Sequence, residues 1–324
     1  MRKPPVRLGL VGCGRLAAQG YAPAVAATRG ATAIVAVADP DPGRRNHLAG
    51  VVRTTGDAVR PYATVDELVA AGGLDAVVVA SPVDRHVADV TACVAAGLPV
   101  LVEKPPAPDV DGARALAALT PCPWLGLNRR FDLGVRRVRA AVPPAGAVQV
   151  VLQLAYRRAS WRAHTVRDDA LLDLGPHVID LAAWLTRSPV RAVRDAELTT
   201  ERARMVLVLD RGEALVELAC DRPYRELVEV RDLRGALLAR HTQGGPTAAV
   251  RDRIARGPHP LVATLTGELE AVARAVRGEG VGALADARDG IAVMAAIEAA
   301  RASADADGRA VELACDSGEV VPCS

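Results

Sequence analysis

Among the side chains of this 324-residue chain that can carry a proton, Lys104, Asp173 and His177 stand at positions where they could share one. Asp173-Leu174-Gly175-Pro176-His177 sets a carboxylate and an imidazole four residues apart, a spacing that puts both on one face of a helix. Lys104 follows a short apolar run that reads as a parallel strand, and ligands of parallel sheets bind outside the carboxyl ends of their strands. Removing a hydride from a secondary alcohol requires a base for the hydroxyl proton. An imidazole, with an ordinary pKa of about 6.5, accepts one near neutrality, whereas an amine does so only if burial or neighbouring cations lower its pKa. His177 therefore reads as the acid/base, Lys104 as the donor that polarises the reacting oxygen, and Asp173 as the orienting group; the His177 and Lys104 roles are open to exchange. Taken singly, His177 could equally be a core histidine bonded to Asp173 or Asp180, and Lys104 a surface residue beside Glu103.

A second group of residues is informative for what it lacks. Gly12-Cys13-Gly14-Arg15-Leu16-Ala17 follows the apolar run Val6–Val11 and opens a helical pattern. Gly12 permits a tight turn, Gly14 lets a pyrophosphate approach the backbone, and Ala17 lets helix pack closely on strand, so that the pyrophosphate meets the free N–H groups of a helix N-terminus. Asp39 ends the next apolar run, where a carboxylate accepts from the adenosine ribose hydroxyls and repels a 2′-phosphate. The cofactor expected is NAD, with NADP possible because Arg44 and Arg45 follow closely.

Elements must hold these groups in place. Short runs that are apolar throughout (Val6–Val11, Ala33–Ala38, Asp75–Ala80, Pro99–Val102 and Trp124–Leu127) alternate with amphipathic stretches (Leu16–Thr28, Pro42–Ala49, Val65–Ala71, Asp84–Ala96 and Asp109–Leu119). This is the pattern of a doubly wound parallel α/β sheet, a Rossmann fold. After about Asn128 the pattern changes. Helices are expected at Leu133–Ala141, Ala170–Leu185, Leu261–Val276 and Asp286–Ala304. Strands are expected at Ala147–Tyr156, Arg191–Leu198, Arg204–Leu209, Ala214–Ala219, Glu226–Asp232, Leu237–His241 and Ala310–Leu313. Their hairpin spacing predicts a large, mostly antiparallel open sheet in an α+β domain. The boundary is expected near residue 128, giving a dinucleotide-binding domain over 1–128 and a substrate-binding and oligomerisation domain over 129–324.

Four further segments carry a pattern: Ser81-Pro82-Val83-Asp84-Arg85-His86, Glu103-Lys104-Pro105, Asn128-Arg129-Arg130-Phe131, and Asp173-Leu174-Gly175-Pro176-His177-Val178-Ile179-Asp180. In this order, after the glycine turn, they resemble the glucose–fructose oxidoreductase / inositol dehydrogenase (Gfo/Idh/MocA) family over nearly the whole chain. The resemblance implies a Rossmann domain followed by an open-sheet domain, oxidation of a sugar or cyclitol secondary alcohol or reduction of the matching ketone, and Lys104, Asp173 and His177 as the catalytic group. It also implies a cis Lys104–Pro105 bond and a homodimer or homotetramer built on the open sheet, with Arg204–Ala219 in the interface. Cofactor contacts are expected from Gly12, Gly14, Arg15, Leu16, Asp39, Ser81, His86 and Glu103, with His86 steadying its turn and Asp180 supporting the site. Substrate contacts are expected from Arg129, Trp161, Asp168 and Asp169; Arg129 and Arg130 could instead anchor the domain interface.

One stretch departs from the family pattern. Where glycines commonly precede the aspartate, this chain has Thr165-Val166-Arg167-Asp168-Asp169-Ala170-Leu171-Leu172. Asp168 or Asp169 could cap the helix, or meet a cationic ring such as an amino sugar, while the arginines of Tyr156-Arg157-Arg158-Ala159-Ser160-Trp161-Arg162 would suit an anion. Pro176 implies that the helix starts near it or kinks. Composition narrows the partners. A net charge of +2, interspersed charges and 2% aromatics argue against nucleic acid, and no long apolar run suggests a membrane span. The six cysteines form no C-x-x-C pair, so no metal site is expected and reduced thiols in a cytoplasmic protein are. Two further activities remain as alternatives: an NADPH-dependent ketoreductase of a sugar biosynthetic pathway, and a non-catalytic dinucleotide-sensing regulator.

Overall fold

A computed structural model describes residues 3–52, 58–158, 169–245 and 260–313. Strand β1 (Val6–Val11) is buried on both faces except at Arg7, as are β4 (Ala76–Val79) and β5 (Val100–Glu103) throughout. Valine-rich strands of this kind need helices on both sides. These are α1 (Ala22–Ala27), reached through a π-helical turn at Ala17–Tyr21, with α2 (Pro42–Val51), α3 (Val65–Ala70), α4 (Val83–Ala95) and α5 (Val110–Ala117). Side-chain caps start three of them: Asp41 accepts from Gly43 N and Arg44 N, Thr64 from Glu67 N, and Asp109 from Gly112 N. With β2 (Thr32–Ala38), β3 (Arg60–Tyr62), β6 (Trp124–Gly126) and β13 (Ala285–Asp286) the first sheet has the order β13-β6-β5-β4-β1-β2-β3. All its pairs are parallel except β13 on β6. The chain starts in the middle, builds outward to β3, then crosses to β4. The carboxyl ends of β1 and β4 thus flank the point where strand order reverses, where such sheets bind ligands.

A 3-10 turn at Asn128–Phe131 leads to α6 (Leu133–Ala141), β7 (Val148–Arg157) and α7 (Ala170–Thr186). Strands β8 (Val190–Leu198), β9 (Arg202–Leu209), β10 (Gly212–Ala219), β11 (Asp221–Asp232), β12 (Leu237–Gly244) and β14 (Val311–Glu312) complete a second sheet, ordered β12-β11-β7-β10-β9-β8-β14. Its pairs are antiparallel except β10 on β7. Helix α7 and α9 (Ala287–Asp305) cover one face: Leu171, Leu174, Val178, Val293 and Ile297 share a core with Val150, Leu152, Leu207 and Val216. Helix α8 (Pro260–Val276) returns to the first sheet, packing Leu265, Leu269 and Val272 with Val6, Leu8, Leu10 and Tyr21.

Four details differ from the sequence reading. Leu16–Thr28 is divided into the π-helical turn and α1. Strand β3 is too short to show a period, and its Pro61 suits an edge position. The last helix begins after Asp286, which caps it through a reciprocal pair of bonds with Asp289 and also pairs with Trp124 in the sheet. Helix α7 begins at Ala170, as the helical pattern predicts, and Pro176 lies inside it, not at its start; its nearly complete burial offsets the lost backbone bond. Among the described residues no helix is long and apolar enough to cross a membrane, and Cys13, Cys93, Cys122 and Cys220 are free thiols. Cys315 and Cys323 lie outside the described residues.

Candidate active site

The glycine turn sits at the carboxyl end of β1. Gly12 has φ +88°, and a Cβ there would lie 2.5 Å from the Ala80 carbonyl oxygen at the end of β4. Only glycine accommodates both that angle and that approach. A Cβ on Gly14 would meet nothing within 4 Å, so packing does not demand a glycine there, and the open face beside its backbone is the kind of cradle a pyrophosphate fills. Arg15 and Leu16 follow immediately, and Ala17 is buried under the sheet core. The Asp39 carboxylate accepts from Cys13 N at 2.8 Å and from Asp41 N at 2.9 Å, locking the turn to the end of β2. Each of its oxygens keeps a lone pair for a ribose hydroxyl. Arg45 is turned back onto the Asp39 and Pro40 carbonyls, at 3.1 and 3.0 Å, and exposed Arg44 pairs with Asp41. Neither arginine is arranged as a 2′-phosphate clamp, so the turn fits NAD.

Three residues expected beside the cofactor, Ser81, His86 and Glu103, also make bonds within the fold, and His86 steadies its turn as expected. His86 Nε2 faces the Ser81 carbonyl at 2.9 Å and Nδ1 the Pro105 carbonyl at 3.0 Å, tying the turns after β4 and β5 together, while Ser81 Oγ donates to Asp89 at 2.7 Å. Burial lowers the His86 pKa despite those carbonyls. Glu103 is buried, accepting from Tyr21 OH at 2.7 Å and from the Lys104 backbone N–H at 3.1 Å. Burial raises its pKa, opposed by Tyr21 and Lys104.

Lys104 then leaves the first sheet, before a cis bond to Pro105, and reaches α7. Its Nζ donates to the Asp173 carbonyl at 2.7 Å and to Asp173 Oδ1 at 3.1 Å. Tyr156 OH donates to Asp173 Oδ2, with Arg158 at 3.5 Å and Cys220 Sγ at 3.9 Å from the same oxygen. Burial opposes ionisation of Asp173, but the Lys104 charge and the bonds from Tyr156 and Lys104 prevail and hold its pKa below the ordinary value. His177 lies one turn on, and its buried Nδ1 has no partner among the described residues. Burial first, then the Lys104 and Arg129 charges, drive its pKa well below 6.5, leaving a neutral imidazole able to accept a proton. The structure therefore brings Lys104, Asp173 and His177 into one cluster at the carboxyl end of β5.

The sequence reading did not single out Tyr156, Arg158 or Cys220 around Asp173. They arrive through the parallel pairing of β7 with β10, which matches Ala155 to Ala219 and leaves no signal in either strand alone. Arg129 is committed to Glu226 at 2.5 Å and Tyr224 at 3.1 Å, and Arg130 to Asp180 at 2.5 Å and Asp289 at 3.2 Å, so both brace the fold around the site. Asp169 caps α7, accepting from Leu172 N at 2.8 Å, and pairs with Arg301 at 3.3 Å. Trp161 and Asp168 lie outside the described residues.

Residues 6–121 match the sequence profile of the oxidoreductase family with an NAD-binding Rossmann fold, Gfo/Idh/MocA. The chain is 32% identical over 231 residues to an inositol 2-dehydrogenase of Leifsonia xyli subsp. xyli, a match covering 66% of each, just under two thirds of that relative's length. It is 32% identical over 226 residues to the rhizopine catabolism protein MocA of Rhizobium meliloti, covering 66% of this chain and 67% of that protein. Among solved structures it resembles the WlbA dehydrogenase from Bordetella pertussis in complex with NADH and UDP-GlcNAcA, with TM-score 0.79, 19% identity, and coverage of 98% of this chain and 100% of that one. The chain belongs to the Gfo/Idh/MocA family of NAD-binding oxidoreductases.

Proposed function

We propose that the protein is an NAD-dependent dehydrogenase oxidising a secondary alcohol on a cyclitol or sugar ring. One observation carries this reading: a neutral imidazole lies one helical turn from a carboxylate bonded to the Lys104 ammonium at 3.1 Å, at the ligand-binding end of the first sheet. Bound NAD supplies the hydride acceptor. His177 takes the hydroxyl proton of the substrate. Two Lys104 N–H groups go to Asp173, and the third is available to the same hydroxyl oxygen, stabilising negative charge as it develops. Asp173 and Tyr156 hold the ammonium in place. The inositol 2-dehydrogenase relative makes myo-inositol the first substrate to try. The test is NADH formation from myo- and scyllo-inositol and from neutral, amino and nucleotide-linked sugars, with NAD and NADP compared. Turnover on a neutral polyol with NAD is expected. Activity confined to NADPH and keto sugars would support the ketoreductase reading instead, and tight NAD binding without turnover on any of these would support a regulator.

The outer face of the second sheet supports assembly with further copies. Val151, Leu215 and Val206 form a half-buried apolar row across β7, β10 and β9, beside a polar row of Gln153, Glu217 and Arg204. A homo-oligomer by sedimentation that dissociates on Leu215→Arg is the expected result.

A further inference from the structure

The stripe of α7 that carries Asp173 and His177 continues through Asp180 to Trp184, and the helix ends at Arg187 in the left-handed conformation. There a cavity of about 350 Å³ opens, lined by Arg130, Arg139, Trp184, Arg187, Ser188 and Asp289 among others. It lies beyond the Arg130–Asp180 pair from the active site, and the proposed redox chemistry uses none of its residues.

Its charges do not balance. Arg130 is held between two carboxylates, Asp180 at 2.5 Å and Asp289 at 3.2 Å, which together exceed its charge by one. Arg139 donates to the Trp184 carbonyl at 2.9 Å and lies 4.3 Å from the centroid of the Trp184 ring. Arg187 reaches only the Val142 carbonyl, at 3.4 Å. Neither Arg139 nor Arg187 pairs with a carboxylate among the described residues. Burial, then repulsion from Arg187, Arg130 and Arg136, pushes the Arg139 pKa below its ordinary value. The carboxyl end of α7 meets only one of the two: the Trp184 carbonyl accepts from Arg139, while that of Thr186 accepts from Arg211 at 2.8 Å. Two guanidinium groups thus face a cavity whose wall includes Trp184 and Pro189.

We propose that this cavity binds a phosphoryl group, held between Arg139 and Arg187 with the Trp184–Pro189 wall against the rest of its carrier. A guanidinium fork matches phosphate oxygens two at a time. The three arginines and two aspartates of the lining leave it at +1, and two guanidinium forks can serve three oxygens of one phosphoryl group, whereas a carboxylate offers only two. The same chemistry is offered by free inorganic phosphate and by a phosphorylated sugar.

Calorimetry on the full chain tests the site, with NAD present at a few times its dissociation constant so that the glycine turn is filled. The titrants are inorganic phosphate, glucose 6-phosphate, glucose and acetate at constant ionic strength. Saturable one-site binding of the phosphate-bearing titrants is expected, weakened about tenfold or more in Arg187→Gln and in Arg139→Gln. Arg187 is exposed, so Arg187→Gln should melt as the parent does without phosphate and separates lost binding from lost folding. Tighter binding of glucose 6-phosphate identifies a phosphorylated metabolite, and equal binding identifies free phosphate. Absence of saturable binding, equal affinity in both variants, or acetate binding as tightly as phosphate overturns the proposal.

Discussion

The glycine turn and the Lys104–Asp173–His177 cluster occupy the same end of the same sheet but are built in opposite ways. The turn is made of backbone. Its six residues are contiguous, and its two glycines act by having no side chain: one because φ is +88° with the Ala80 carbonyl against it, the other because the space beside it is open. The cluster is made of side chains from distant elements. Lys104 comes from the end of β5, Asp173 and His177 from α7, Tyr156 from β7, and Cys220 from the turn after β10. A backbone site depends on local conformation and is spoiled by adding atoms. A side-chain site depends on partners and is spoiled by removing charges. The two should respond to substitution in different observables.

The largest difference is expected at Asp173. Asp173→Asn keeps the shape and removes the charge, so kcat should fall about 100-fold or more, the range for a disrupted acid/base group, while NAD affinity stays unchanged. A matching fall in NAD affinity would mean that the two sites are not separable. Arg130 anchors α7 through Asp180, whose own pKa burial pushes up to about 6, against the Arg130 charge. Both groups are therefore ionised at neutral pH. Arg130→Ala strands a buried carboxylate and should cost about 3–5 kcal/mol in denaturant unfolding; a loss below about 1 kcal/mol, the level of an exposed pair, would show that α7 is not held by this bond.

The glycines sharpen the comparison further. Gly12→Ala should lose about 2 kcal/mol of stability or more, from the left-handed backbone and the carbonyl contact. Gly14→Ala should melt within about 0.5 kcal/mol of the parent yet bind NAD about tenfold more weakly, as a methyl group enters the cradle. Equal NAD affinity would remove Gly14 from the cofactor site. The smallest effect is electrostatic. Burial is the leading cause of the low His177 pKa and Lys104 the next, so in Lys104→Met the imidazole should titrate higher, though still below 6.5, by NMR. With His177 as the proposed base, the accepting form is the neutral one, so kcat/KM should fall as pH drops through that depressed value, with its acid limb below 6.5.

How far the sequence could be read follows the same division. The glycine turn and Asp39 are legible because their roles are local, and the alternating apolar runs announce the parallel sheet. Asp173 and His177 are legible because helical spacing puts them on one face. Tyr156, Arg158 and Cys220 are not, since only the β7–β10 register delivers them to Asp173. Nor could periodicity say which sheet α8 covers: its apolar face is visible, but Leu265 and Leu269 meeting Val6 and Tyr21 is a fact of tertiary packing. Asp169 illustrates an ambiguity of the sequence, because a carboxylate before a helix suits a cap or a ligand; here one oxygen bonds Leu172 N and the other pairs with Arg301. The turn-steadying role expected of His86 is legible from its place after β4, but its partner, the Pro105 carbonyl after β5, is known only from the fold, as is the Tyr21 bond to Glu103.

The most direct test of the central claim is single-turnover NADH formation from the best polyol substrate by the parent enzyme, Lys104→Met and His177→Ala. Each variant should still bind NAD and fold, and the hydride-transfer rate should fall by about 100- to 10,000-fold, the range for loss of a positioned acid or base. Rates in both variants within a few-fold of the parent would contradict the assignment of proton transfer to this cluster.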